Sequence, residues 1–231
     1  MAMSGRSTLL VDMDPQCNAT SGVGNEPVGR HPLIEQTPIT QSAQHTSIEH
    51  LMLVPGSRSF QDVDRLASGE GKFSASVVQH LKHEVAAYDC VVIDCPPSLG
   101  PLTQTALKSS SEVLMPIQCE YFAMEGLTQM ITLIRDIMRA DPGSLEFGGI
   151  VLTMYDESLE LTTEVESQVR EFFGEIVYDT VIPRDVAVSE SPSHGCSVLD
   201  YSPRSRGSRA YIELCMEVIE HDEKETIGTG A

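Results

Sequence analysis

Two short apolar runs that end in aspartate restrict the fold of this chain more than anything else in it. Thr8-Leu9-Leu10-Val11 runs into Asp12-Met13-Asp14-Pro15-Gln16, and Val91-Val92-Ile93 runs into Asp94-Cys95-Pro96-Pro97-Ser98. Runs of this length, aliphatic and without a polar interruption, predict strands covered on both faces, as in a parallel sheet. Acid at the carboxyl end of such a strand falls where open α/β sheets keep their sites. Each aspartate alone is equally well explained as a cap for the loop or helix that follows. Together, two acid-tipped parallel strands point to a magnesium–nucleotide site.

The remaining pattern alternates strands with helices. Ala19 to Gly24 is small and glycine-rich, suited to a close turn or the start of a helix. Asn25 to Glu49, polar and broken by proline and glycine, predicts a long surface excursion. Leu51-Met52-Leu53-Val54 is a short strand, and Phe73, Val77, Val78, Leu81 and Val85 recur at helical spacing over Phe73 to Tyr88. Strands follow at Cys90 to Asp94, Val113 to Cys119, Gly149 to Tyr155 and Ile176 to Ile182. Helices are expected over Thr103 to Ser110, Tyr121 to Ala140, Leu161 to Phe173 and about Ser208 to His221. This order implies an α/β fold, doubly wound, with a mostly parallel sheet and helices on both faces. The expected organisation is one domain over residues 1–221 and a polar, frayed tail over 222–231.

Composition narrows the class. Forty-one per cent apolar and 21 per cent charged residues make a globular chain, and no apolar run approaches the ~18 residues of a membrane span. The first residues hold too short an apolar stretch for a signal peptide, so a cytoplasmic location is expected. Six scattered cysteines form no CxxC pair and read as reduced thiols. The net charge is −19, with only four lysines, and the one basic island is Arg204, Arg206 and Arg209. Such a field repels nucleic-acid phosphates unless basic groups gather on one face.

Phosphoryl chemistry of this kind needs a glycine-rich cradle with a lysine, an acid for magnesium, and a group that places the attacking water. The pattern G-x-x-x-x-G-K-[ST] occurs nowhere in the 231 residues. Gly24-Asn25-Glu26-Pro27-Val28-Gly29-Arg30-His31 carries arginine for lysine and histidine for the hydroxyl, and follows no strand, so it reads as a loop. Gly71-Lys72-Phe73 lacks the first glycine and the hydroxyl.

Taken in order, the motifs resemble the ParA/Soj branch of the ParA/MinD ATPases. Leu9 to Gly22 resembles the switch segment that follows the phosphate-loop helix. Tyr88-Asp89 with Val91 to Ser98, Pro116-Ile117-Gln118-Cys119-Glu120-Tyr121-Phe122-Ala123-Met124-Glu125-Gly126, Val151 to Asp156, Val181 to Val186, and Ser189 to Gly195 are further matches. Tyr201 to Tyr211 is similar to the approach to the family's C-terminal helix. The resemblance covers nearly the whole chain.

It implies an ATPase that uses ATP and Mg2+, forms a homodimer, and positions DNA with a ParB-like partner in chromosome or plasmid partitioning. Asp14 would position the hydrolytic water, Asp12 would support the magnesium shell, and Asp94 would be the Walker B acid acting through a magnesium-bound water. Met154, Pro183 and Arg184 fall where the family builds its adenine pocket, though a strand end and a turn proline explain them equally. Glu120 to Gly126 would lie near the dimer surface, unless Tyr121, Phe122 and Met124 are simply core. The family's first strand, deviant P-loop and following helix would lie before Thr8, with Met1 to Arg6 as the tail of that helix. Soj-type members place arginines where this chain has Ser158 and Ala187, which with the negative charge argues against DNA as its cargo. Two other readings therefore stand beside the partition ATPase: a nucleotide-free interaction module, and a relative that positions a cargo other than DNA.

Overall fold

The computed structural model describes residues 1–60, 72–120 and 123–228. Their contacts divide into two compact units. The first comprises Met1–Glu112, Leu133–Glu146 and Pro192–Ser197, and the second Val113–Thr132, Phe147–Ser191 and the chain from Val198 on.

The first unit is built on the two acid-tipped runs. Strand β1 (Thr8–Asp12) is followed by the short helices α1 (Asn18–Gly22), α2 (Pro32–Glu35) and α3 (Ile39–Ser42). Strands β2 (Gln44–His45) and β3 (Leu51–Val54), helix α4 (Lys72–Glu84), strand β4 (Cys90–Asp94) and helix α5 (Pro101–Ser109) complete it. The strands lie in the order β2-β3-β1-β4. β1 pairs in parallel with β3 from Thr8↔Leu51 to Val11↔Val54, and with β4 from Thr8↔Cys90 to Asp12↔Asp94. Only β2 runs antiparallel. Leu9, Val11 and Val54 meet Val77 and Leu81 of α4 and Leu102 and Ala106 of α5 in one cluster. The helical spacing read from Val77 and Leu81 is thus the packing face of α4.

The second unit holds β5 (Glu112–Gln118), α6 (Ala123–Ala140) as far as Thr132, β6 (Glu146–Tyr155), α7 (Glu160–Phe173), β7 (Val177–Pro183), and three helices, α8 (Val186–Glu190), α9 (Val198–Tyr201) and α10 (Arg206–Gly228). Its strand order is β5-β6-β7, with β6 and β7 parallel. Glu146 N donates to Ser111 O, and Cys119 N to Thr153 O, so β5 and β6 also advance in the same direction. Successive residues of a strand face opposite sides, and both sides are covered here. Ile150, Leu152, Val177 and Val181 pack with Val165 and Val169 of α7, while Val151, Tyr178 and Ile182 pack with Ala210 and Leu214 of α10. That two-sided burial explains why β6 shows no polar alternation, whereas β5 buries Met115 and Ile117 and leaves Leu114, Pro116 and Gln118 exposed.

Two expectations need adjusting. Asn25 to Glu49 is not merely a surface excursion, because it contains α2, α3 and β2 and buries His31, Leu33 and Ile39 at 0, 1 and 0 per cent exposure. Its helices are single turns, too short for any periodicity to show. The last helix starts at Arg206 and continues to Gly228, through most of the segment expected to fray. Tyr121 and Phe122 lie outside the described residues.

Within the first unit, residues 192–197 meet the chain after α1 at two glycines. Gly24 (φ +81°) and Gly195 (φ +62°) face each other so closely that a Cβ on Gly24 would stand 2.6 Å from Gly195 O. Both positions therefore exclude side chains by conformation and by contact. Gly24→Ala should destabilise the chain by ~1–3 kcal/mol in urea unfolding, whereas Gly22→Ala, with nothing within 4 Å, should stay within about 1 kcal/mol of the parent.

Candidate functional site

The carboxyl ends of β1 and β4 lie side by side, with Asp12 opposite Asp94 in the parallel register. Asp12 is fully buried, and both its oxygens are taken. Oδ1 accepts from Asp14 N at 3.1 Å, while Oδ2 accepts from Thr20 N at 2.8 Å and Thr20 Oγ1 at 2.6 Å. The Thr20 hydroxyl in turn accepts from Gly56 N at 2.7 Å. Gly56 has to be glycine, because a Cβ there would sit 2.7 Å from Asp12 Oδ2. Asp12 thus caps α1 and ties it to the end of β3, the capping role weighed for it from sequence. Burial raises its pKa above the usual carboxylate value, against the lowering effect of the Thr20 bonds.

Asp14 and Asp94 are half-buried and turned to the same end of the sheet. Asp14 Oδ1 accepts from Gln16 N at 2.9 Å, which closes the Asp-Pro-Gln turn, and Met13 N donates to Asp94 O at 2.9 Å. The Asp94 carboxyl is pushed up to about 6, first by burial and then by the charges of Asp12 and Asp14. No lysine or arginine offsets it among the groups that set this value. Uncompensated carboxylates at one strand end fit a divalent cation. Mg2+ needs only one or two carboxylates, because it keeps several waters. Among the described residues no three histidine, cysteine or acidic side chains stand where they could hold a metal by themselves. Asp14 and Asp94 are half-buried, whereas Asp12 is fully buried with both oxygens bonded.

Sequence reasoning missed three residues that build this end: Thr20, Gly56 and His31. His31, which the sequence places in a loop, is 0 per cent exposed and its ring nitrogens contact Asp12 O at 3.0 Å and Leu33 N at 3.1 Å. Burial pushes its pKa down to about 3, so the ring is neutral. The available signal was His31-Pro32, a polar residue before a proline at the first helical position.

In the second unit, Met154, Pro183 and Arg184 stand together at the ends of β6 and β7. Tyr155 pairs with Pro183, and Arg184 N donates to Tyr155 O at 2.8 Å. Met154 has φ 54° while 39 per cent exposed, a left-handed conformation that a non-glycine residue rarely adopts. The Arg184 guanidinium lies 3.4 Å from Glu120 Oε1. Ser158 donates from N and Oγ to Asp156 Oδ1, and Ala187 N donates to Asp185 Oδ1, so both positions serve local turns. Arg206 contributes to holding the carboxyls of Asp156 and Asp185 below their usual range, behind the hydrogen bonds those groups accept.

The Asp94 shift carries a pH dependence. Its folded value of about 6 lies above the ordinary 3.8, so the folded state binds more protons between them and stability falls as pH rises through that window. Asp94→Asn should therefore stabilise the chain at pH 7–8 by ~1–3 kcal/mol, allowing for partial screening, and the gain should fade as pH approaches about 4. Urea midpoints measured across pH check this.

Comparison with known proteins shows the family. Residues 1–147 match the family described as the AAA domain. The sporulation initiation inhibitor protein Soj of Bacillus subtilis is 38% identical over 229 residues, covering 94% of this chain and 88% of that protein. The chromosome partitioning protein ParA of Caulobacter vibrioides is 37% identical over 230 residues, covering 96% and 86%. Among solved structures, cobyrinic acid a,c-diamide synthase from Mycobacterium smegmatis with bound ADP and magnesium superposes with a TM-score of 0.79 at 26% identity, covering 96% of this chain and 84% of that one. The cell division ATPase MinD of Pyrococcus furiosus shares the fold, with a TM-score of 0.71 at 21% identity and coverage of 96% and 88%. With an α/β fold of mostly parallel strands, acids at the ends of β1 and β4, and this identity over nearly its whole length, the chain belongs to the ParA/Soj family of partitioning ATPases.

Proposed function

We infer that the chain works as a ParA/Soj-type partitioning protein whose β1 and β4 ends form the magnesium-and-water side of an ATP site. The observation that carries the reading is the parallel register that sets Asp12 beside Asp94 with Asp14 two residues on. Asp94 would hold the cation. Asp14, its Oδ1 tied to Gln16 N, keeps its other oxygen for a water molecule. Asp12 supports that shell by fixing the turn. The cation, when bound, supplies charge stabilisation to the transferring phosphoryl group. Met154, Pro183 and Arg184 hold the adenine. On this reading the protein is cytoplasmic, works as a homodimer and answers to a ParB-like partner; among the described residues no helix is long and apolar enough to cross a membrane.

A second reading has its own support. The 231 residues contain no glycine-rich segment with a phosphate-binding lysine, and carboxylates without such a partner repel a triphosphate. On that reading the chain is a nucleotide-free interaction module. Calorimetry of the chain with magnesium-ATP separates the two. Micromolar binding that Asp94→Asn weakens at least ~10-fold supports the ATP site, and a folded chain that gives no heat supports the module.

The cargo is tested independently. Soj-type arginine positions hold Ser158 and Ala187, and the net charge is −19. Duplex DNA binding measured with ATP present should therefore be weak and lose little with added salt. A log–log salt slope of about −4 or steeper would mean several phosphates are neutralised and would restore DNA as the cargo.

A further inference from the structure

The turn that carries Asp12, Met13 and Asp14 needs an anchor on the β3 side. There the β1–β3 pairing ends at Val11↔Val54, one residue short of Asp12, while on the β4 side it continues to Asp12↔Asp94. The next carbonyl, Asp12 O, is met by a side chain instead: His31 Nε2 at 3.0 Å. The ring's other nitrogen fixes the tautomer. Nδ1 accepts from Leu33 N at 3.1 Å as the cap of α2, so it carries no proton, and the neutral ring must bear its hydrogen on Nε2. Asp12 O is then the acceptor. The ring is held in place by its own backbone N, which donates to Ser59 Oγ at 3.2 Å, and by Phe60, whose ring centroid is 4.1 Å away.

We propose that His31, as the Nε2–H tautomer, is a positioning residue for the acidic site: its bond to Asp12 O sets the direction of the Asp12–Asp14 turn and so the place of the Asp14 carboxylate. The residue touches no reacting atom. It acts through the backbone, together with the Met13 N to Asp94 O and Asp14 N to Asp12 Oδ1 bonds. Its importance for chemistry rests on the role proposed for Asp14; its effect on the turn does not.

Two substitutions take the ring's functions apart. Asparagine is a good helix cap but too short to reach Asp12 O, so His31→Asn keeps the bond to Leu33 N and loses the anchor. Glutamine carries an amide N–H about as far out as Nε2, so His31→Gln keeps the anchor and weakens the cap. Nitrogen-15 spectra of the unmodified chain should show a protonated Nε2 and an unprotonated Nδ1; the opposite tautomer overturns the proposal. Amide hydrogen exchange, without any ligand, should show Met13 and Asp14 exchanging at least ~10-fold faster in His31→Asn, with the Val91–Ile93 amides little changed, and recovery toward the parent rate in His31→Gln. Unchanged exchange at Met13 and Asp14 in His31→Asn would overturn the proposal. So would equal acceleration throughout the unit in both variants, which marks a merely structural residue. If His31→Asn does not fold, the tautomer and the rate of the His31→Gln turn relative to the parent still decide. Because no nucleotide enters these measurements, failed magnesium-ATP binding beside a protected turn rejects the ATP site and leaves the positioning role standing.

Discussion

A buried carboxylate organises the first unit. An ionised group with no exposed surface is tolerable only when hydrogen bonds replace its water, and Asp12 receives three donors from two residues. Those donors lie on separate pieces of chain. Asp14 N belongs to the turn after β1, and Thr20 belongs to α1 and passes the connection to Gly56 at the end of β3. The desolvation of one side chain therefore fixes the relation of a strand, the helix that follows it, and the neighbouring strand. Leaving any of these donors out would strand a charge in apolar surroundings, which costs more than an ordinary hydrogen bond contributes.

That arrangement divides the work among the three acids. Asp12 has spent both oxygens inward, so its chemistry is exhausted by structure. Asp14 and Asp94 inherit the open end of the sheet and feel its charge. The raised value of Asp94 is the mark of that inheritance, since burial and two like charges act on it without a cation among the groups that set it. Perturbed groups of this kind gather at functional sites, though ion-pair networks also produce them. Among the groups that shift Asp94 none is basic, which is in keeping with the proposed cation site.

The sequence disclosed β1 and β6 because they are largely buried on both faces, and such a strand has to be apolar throughout; β4 and β5 read the same way although Val92 and Leu114 stand 46 and 42 per cent exposed. Helix α4 was legible for the opposite reason: one face only is buried, so Val77 and Leu81 recur with the helical period. Where neither pattern can develop, in the single turns α2 and α3, reading by periodicity fails. The acids were visible as strand endings, yet which of them faces inward depends on Thr20, eight residues along, and Gly56, forty-four along from Asp12. His31 was hidden for a related cause. Its contact with Asp12 spans 19 residues of sequence, and only its place before Pro32 hinted at a cap.

The charge at the open end also governs how such a site responds to pH. A group that titrates near 6 holds a proton in competition with any cation, and binding must release that proton. Affinity for a divalent ion should then climb as pH rises through the Asp94 range and level off above it, where the carboxylate is already ionised. The folded chain loses stability over the same interval, because ionisation leaves a charge that is poorly solvated first and close to Asp12 and Asp14 second. The two trends have one origin: the desolvated, repelled charge that costs stability is what a bound cation would relieve. A chain that keeps Asp94 in this environment keeps a cost in stability that an asparagine would remove, and the proposed cation site would put that negative charge to use.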